Sequence, residues 1–245
     1  GLGYFTETIN GTSTQREWCQ PTGIEKGDKT TYLAGDVQIE VKRSIHKGDL
    51  IEEYTFSNQG KQTVILSDIG IYTPFNDNYP SAEICLSARA HVHIWDGENA
   101  TYINATHMGS KSPHRGLILT QGSVKSYDIW ERSKEKSNSH TRGIIALNPV
   151  DMKLTPGQTY TLSWELFSHT GWEDFYAQIL KRGNIVARCN QYTFEKGDTA
   201  RLELLGSDKL LRNSTISMDG APLTIRKEGA TWVAKTVMER KGEVR

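Results

Sequence analysis

The chain has 245 residues, 36% of them hydrophobic and 24% charged, and its 29 basic side chains balance 29 acidic ones. That length suits one large β domain or a large domain with a small one. The zero formal charge argues against non-specific binding to nucleic acid or anionic membranes, which both need a basic surface, and no apolar run approaches the roughly 20 residues of a membrane span.

Residues 1–30 are polar and rich in turn formers, with Trp18 as the expected anchor. From residue 31 the chain reads as a series of hairpins. Val37, Ile39 and Val41 alternate with Gln38, Glu40 and Lys42, and His46-Lys47-Gly48-Asp49 closes the run. Strands over 50–57 and 62–72 follow, joined by the turn Asn58-Gln59-Gly60-Lys61. Pro74-Phe75-Asn76-Asp77-Asn78-Tyr79-Pro80 reads as a rigid, amide-rich loop.

Residues 84–95 carry the most informative pattern. Ile84, Leu86, Ala88, Ala90, Val92 and Ile94 fall on one face when read in twos, and Cys85, Ser87, Arg89, His91, His93 and Trp95 on the other. This alternation predicts one strand across all twelve residues. One face is an ordinary core face. The other carries a guanidinium, two imidazoles and an indole, so it either packs against a neighbour or lines a cleft for a polar, ring-shaped ligand.

Asp96-Gly97-Glu98-Asn99 turns the chain into a strand over 100–106. A loop over 108–116 carries His114, strands are expected at 117–120 and 123–130, and 131–138 reads as an exposed, charged connection. After 143–147 and the turn Thr155-Pro156-Gly157 comes a strand over 159–167, in which Tyr160, Leu162, Trp164 and Leu166 share a face. A short helix is expected over 172–180, with Thr170 as its cap and Glu173 and Asp174 suited to the helix dipole. Lys181-Arg182-Gly183-Asn184 reads as a linker. Short strands at 185–194, 200–205, 214–218, 223–227 and 231–236 then have the cadence of a small immunoglobulin-like sandwich. Two domains are therefore expected, 1–182 and 183–245. The second is expected to be a spacer that is cut short, because Gly242-Glu243-Val244-Arg245 looks like a strand just begun.

Cys19, Cys85 and Cys189 are odd in number and scattered, which gives neither a disulfide framework nor a metal-binding pair. Asn10, Asn99, Asn104 and Asn213 open glycosylation sequons, which matter only along a eukaryotic secretory route. His91-x-His93 places two imidazoles on one face. Glu98 would complete a chelating set, but it falls in a turn whose direction the alternation does not fix, so no metal is expected. Asp77, Glu83, Asp128, Glu165, Glu173 and Asp174 are the acids a catalytic pair would draw on, and nothing in their spacing pairs them. Nucleophile elbows and phosphate-binding glycine loops are absent, so no cofactor is expected. Trp164, His169 and Trp172 form a second aromatic group, explained by core packing or by a sugar-stacking platform.

Three phrases carry a resemblance: Tyr72-Thr73-Pro74-Phe75-Asn76-Asp77, Met108-Gly109-Ser110-Lys111-Ser112-Pro113-His114-Arg115-Gly116-Leu117, and Ser168-His169-Thr170-Gly171-Trp172-Glu173-Asp174-Phe175-Tyr176. Over roughly residues 30–180 the chain resembles the antiparallel supersandwich domain, of galactose-mutarotase-like fold, that precedes an (α/α)6 barrel in bacterial carbohydrate-active enzymes. The resemblance implies an all-β chain, a large supersandwich followed by the small sandwich. It implies the N-terminal, non-catalytic region of a bacterial glycoside hydrolase or polysaccharide lyase, exported to the periplasm or the exterior, with a catalytic domain to follow and a polysaccharide or oligosaccharide as partner. The residues expected to contact carbohydrate are Asn76, Asp77, Asn78, Arg89, His91, His93, Trp95, His114, His169 and Trp172. The alternatives are an aldose 1-epimerase-like enzyme using His91 or His114 as acid, although the His and Glu contexts of that activity are not found here, and a free-standing binding module.

Overall fold

Strand after strand of alternating apolar residues closes this chain into antiparallel sheets. The computed structural model describes residues 2–24, 28–78, 81–130, 136–137, 142–218, 220–229 and 231–242. The chain is all-β, and it divides into two compact units, Gly1–Gly171 and Trp172–Arg245.

In the first unit an eight-stranded sheet runs in the order Gly23–Ile24, Lys29–Ala34, Val37–His46, Asp49–Asn58, Thr159–His169, His114–Gln121, Tyr102–His107, Ala90–Trp95. A seven-stranded sheet runs Lys136–Ser137, Val124–Trp130, Ile144–Pro149, Val64–Asn76, Gly3–Ile9, Thr12–Trp18, with Met152–Leu154 also paired to Val64–Asn76. One core lies between them. Phe5, Trp18, Leu66, Ile71, Ile145 and Leu147 from one sheet join Ile39, Tyr54, Phe56, Ile103, Leu117, Leu162 and Trp164 from the other. Trp18 crosses the gap to Phe56, with ring centroids 5.2 Å apart. The expected anchor is thus fully buried, at 1% exposure.

Two buried carboxylates tie the frame together, each held by several donors, as burial of a charge demands. Glu7 receives Arg16 Nε at 2.9 Å and the Asp36 backbone N–H at 2.9 Å, joining the first hairpin to the turn before Val37. Glu52 receives Arg43 Nε at 2.6 Å and Trp164 Nε1 at 2.9 Å.

The second unit holds the helix Trp172–Lys181, a four-stranded sheet ordered Val186–Cys189, Thr199–Leu205, Thr231–Val237, Ile225–Glu228, a ribbon of Ile216–Met218 with Ala221–Leu223, and the helix Asp208–Arg212. Ser207 caps that last helix by accepting from Leu210 N at 3.2 Å. The helix at 172–181 groups with this unit, within which Arg188 stacks over the Tyr176 ring, 4.1 Å from its centroid.

The twelve-residue strand expected over 84–95 is not one element. Residues Ala82–Ala88 form a helix, and only Ala90–Trp95 is strand. Ser81 accepts from Ile84 N at 3.3 Å at the helix start, and Glu83 lies in the first turn, where its charge suits the dipole. Ile84 and Leu86, expected in the core, are 40% and 58% exposed, whereas Cys85 is buried. A period of two and a period of 3.6 both fit so short an apolar run, and Ala, Glu and Leu favour the helix. Val64–Asn76 also runs on through Pro74, so the rigid loop expected from Pro74 is strand up to Asn76. Its last two residues, Tyr79 and Pro80, lie outside the described residues, as do 131–135 and 138 of the charged connection.

Candidate functional site

Ala90–Trp95 is the edge strand of the eight-stranded sheet, and over these six residues the expected alternation is present. Ala90, Val92 and Ile94 pack on the core, while His91 and His93 are exposed. On the outer face His91 pairs with Thr106, His93 with Asn104, and Trp95 with Tyr102, whose ring it stacks on at 6.3 Å and 21°. The rows continue inward, Asn104 to Gly116 to Phe167, and His114 to His169. Gly116 is required there, because the Phe167 ring lies where a Cβ would project.

The residues expected to contact carbohydrate separate into distinct roles. Asn76 accepts from the Asn78 N–H at 2.9 Å in a local turn. Asp77 clamps the strand that starts at Ile144: its N–H donates to the Gly143 carbonyl at 3.1 Å and its Oδ1 accepts from Gly143 N at 2.8 Å. Asn78 Oδ1 accepts from Arg89 Nε at 2.8 Å, so the guanidinium expected to face a ligand instead closes the helix against the preceding turn. Partial desolvation against the sheet, with the neighbouring His91 second, holds the His93 imidazole below its ordinary value. His169 is buried, with its ring nitrogens 3.1 Å from the Gly171 and Arg115 carbonyls. Trp172 is partly exposed and belongs to the second unit.

Buried Asn104 is a further feature of this face. It is 1% exposed, and neither its side-chain nitrogen nor its oxygen has a partner among the described residues. The glycosylation sequon it opens is therefore sealed in the folded chain.

Two clefts of similar size open in the first unit, one of about 600 Å³ beside Lys29, Arg43 and Leu50 and one next to the edge strand, beside the expected carbohydrate face. The second, of about 610 Å³, is lined by Leu86, Ser87, His107, Gly109, Lys111, Ser112, Pro113 and Arg115. His107 is its hub. The Gly109 N–H donates to His107 Nδ1 at 3.2 Å, which puts the imidazole proton on Nε2, where it donates to the Ser87 carbonyl at 3.1 Å. The His107 backbone N–H donates to His114 Nδ1 at 3.1 Å, and its carbonyl accepts from Ser110 N at 2.9 Å. Met108 N adds a bond to the Arg89 carbonyl at 2.9 Å. One imidazole thus ties the end of the short helix to the loop beyond Tyr102–His107, and His114 supports it from the next strand. Gly109 permits the approach, since a Cβ there would stand 2.5 Å from the Leu86 carbonyl oxygen.

Of the lining groups, Lys111 and Arg115 are exposed cations. Arg115 Nη1 donates to Ser168 Oγ at 2.9 Å and to the His114 carbonyl at 3.2 Å. Among the described residues neither cation meets a carboxylate, and no carboxylate lines the cleft. Glu83 is on the same helix, but its carbonyl, one turn before the cleft, accepts from Ser87 Oγ at 2.7 Å and its side chain is not among the lining groups. The cleft therefore combines an apolar wall, Leu86 and Pro113, with hydroxyls and positive charge.

Sequence reasoning named His114 as a carbohydrate contact, which here supports His107 from outside the cleft lining, and did not name His107, Ser87, Lys111 or Arg115. The signal was present in the run from His107 to Arg115, where two histidines, two cations, a Gly and a Pro fall within nine residues.

No family model and no curated protein matches the sequence. Two GH36 alpha-galactosidase structures from Geobacillus stearothermophilus align at 9% and 8% identity, with TM-scores of 0.43 and 0.37. They cover 76% and 68% of this chain, and 33% and 30% of their own. The chain is also similar, at 44% identity and a TM-score of 0.82, to the solved structure of a polysaccharide lyase. That alignment covers 100% of this chain and 36% of the lyase, so the chain spans about a third of the relative it matches over its whole length.

Proposed function

We propose that this chain is a non-catalytic, saccharide-contacting region of a bacterial polysaccharide-degrading enzyme, and that its first unit is a galactose-mutarotase-like supersandwich. The observation that carries this reading is the 44% identity, over the full chain, to a polysaccharide lyase of which it spans 36%. A share of that size fits a region that supports or edges an active site completed elsewhere, and a catalytic domain in the same protein is part of the proposal. The two stacked antiparallel sheets of eight and seven strands support the fold name. The cleft supports contact with saccharide, because an apolar wall with hydroxyl and cationic groups around it suits a sugar ring.

Two of the residues named for acid–base work, His114 and Asp128, have other partners. His114 Nδ1 accepts a backbone bond, and Asp128 accepts from the Tyr4 hydroxyl at 2.8 Å and from Asn148 Nδ2 at 3.2 Å. The test combines two assays on the 245-residue protein. Calorimetric titration with a panel of plant, bacterial and host polysaccharides is expected to find at least one ligand, and depolymerisation assays on the same panel are expected to find no turnover. Turnover by the chain alone overturns the non-catalytic part, and the absence of any ligand overturns saccharide contact.

A further inference from the structure

We infer that the cleft around His107 is an anion-recognising subsite, taking a carboxylate- or sulfate-bearing sugar residue. The inference rests on the saccharide reading above and specifies the chemistry of the ligand. Its starting point is an imbalance: the chain as a whole is neutral, yet among the described residues this cleft is lined by Lys111 and Arg115 and by no acid. Arg115 is held in place by Ser168 and by the His114 carbonyl, both bonds using Nη1, so the rest of its fork is available to a planar oxyanion. Lys111 adds a mobile point charge from the loop.

The remaining lining groups fit the rest of such a ligand. Leu86 is 58% exposed at the cleft wall and Pro113 faces the same space, giving an apolar surface for the C–H face of a sugar ring. Ser112 offers its hydroxyl to ring hydroxyls, and Ser87, whose proton goes to the Glu83 carbonyl, offers its oxygen as an acceptor. The acids on the elements packed around the cleft are not among its lining residues: Glu83 lies one turn back on the helix, and Glu165 lies on Thr159–His169, paired with Ile118. The site is preformed, since the His107 bonds and the close seat of Gly109 on the helix fix loop against wall without a ligand. Little ordering remains to be done on binding.

The experiment is calorimetric titration of the intact 245-residue protein with three oligosaccharides of equal length: a polyuronate, a sulfated glycan and a neutral glucan. Binding of the polyuronate or the sulfated glycan, at least tenfold tighter than the neutral chain and weakening as salt rises, supports the inference, and the two anionic arms tell carboxylate from sulfate. Arg115→Ala and Lys111→Ala are each expected to weaken binding roughly tenfold, the loss of about one charge-assisted hydrogen bond. Arg115→Lys is expected to recover part of that loss. Both positions are exposed, and circular dichroism checks that each variant folds. Equal binding of neutral and anionic chains overturns this inference and leaves saccharide contact standing. So does anionic binding that both alanine variants retain. No binding of any chain overturns both readings.

Discussion

At the scale of single residues, the histidine that organises the site is His107, and the conspicuous pair His91 and His93 stands at its margin. His107 spends both ring nitrogens on backbone groups of two different elements, whereas His91 and His93 project from an edge strand. His93 gives a prediction with a definite sign. Its folded-state value lies below the ordinary 6.5, so between the two values the unfolded chain binds more protons than the folded one. Stability therefore rises with pH through that window and levels off above it. His93→Gln is expected to flatten the rise just below pH 6.5 in denaturant titrations run across that range; an unchanged slope counts against the argument. Asn104 gives another. A buried amide without partners costs on the order of 1–3 kcal/mol, so Asn104→Leu, similar in volume, is expected to raise the urea midpoint by the equivalent of about 1 kcal/mol. A lowered midpoint means that the amide is serving a partner.

At the scale of elements, the cleft is made by a helix that stands where the sequence pattern suggests a strand. Apolar residues at 84, 86 and 88 alternate as a strand requires, and nothing in that run records that Ser81 will cap it or that only Cys85 will be buried. The six residues that follow, Ala90 to Trp95, were legible because their pairing with Tyr102–His107 depends on the same alternation. Most of the large unit was legible for that reason, from Val37, Ile39 and Val41 to Tyr160, Leu162 and Trp164. The candidate site was much less so. It is assembled from backbone bonds to one imidazole and from a glycine whose neighbour across space is 23 positions away, and spacing along the chain carries neither. The close seat of the loop is itself testable. Gly109→Ala is expected to push the loop off the Leu86 carbonyl and to speed amide hydrogen exchange at Met108, Gly109 and Ser110 by tenfold or more, with the core strands unchanged. Unchanged protection at those amides means that the loop is not held there.

At the scale of the whole molecule, the first unit is a double sheet with one continuous core, and the proposed saccharide cleft lies beside the edge strand of the eight-stranded sheet. The buried carboxylates Glu7 and Glu52, paired with the partly exposed Arg16 and Arg43, fix that frame, and removal of an arginine leaves a buried carboxylate without its counter-charge. Arg43→Ala is accordingly expected to destabilise the protein by about 2 kcal/mol, since Glu52 keeps its bond from Trp164, read from chemical denaturation, with saccharide affinity of the folded fraction unchanged; an affinity loss in the folded protein would place Arg43 in the site. The second unit is built on its own four-stranded sheet and needs no role in ligand contact for this account to hold. The most direct measurement is an amide chemical-shift titration of the isotope-labelled chain with an acidic oligosaccharide. Shifts are expected to cluster at Leu86, Ser87, His107, Gly109, Ser110 and Arg115. Shifts confined to the second unit or to Ala90–Trp95, or no shifts at saturating ligand, would contradict the placement of the site in this cleft.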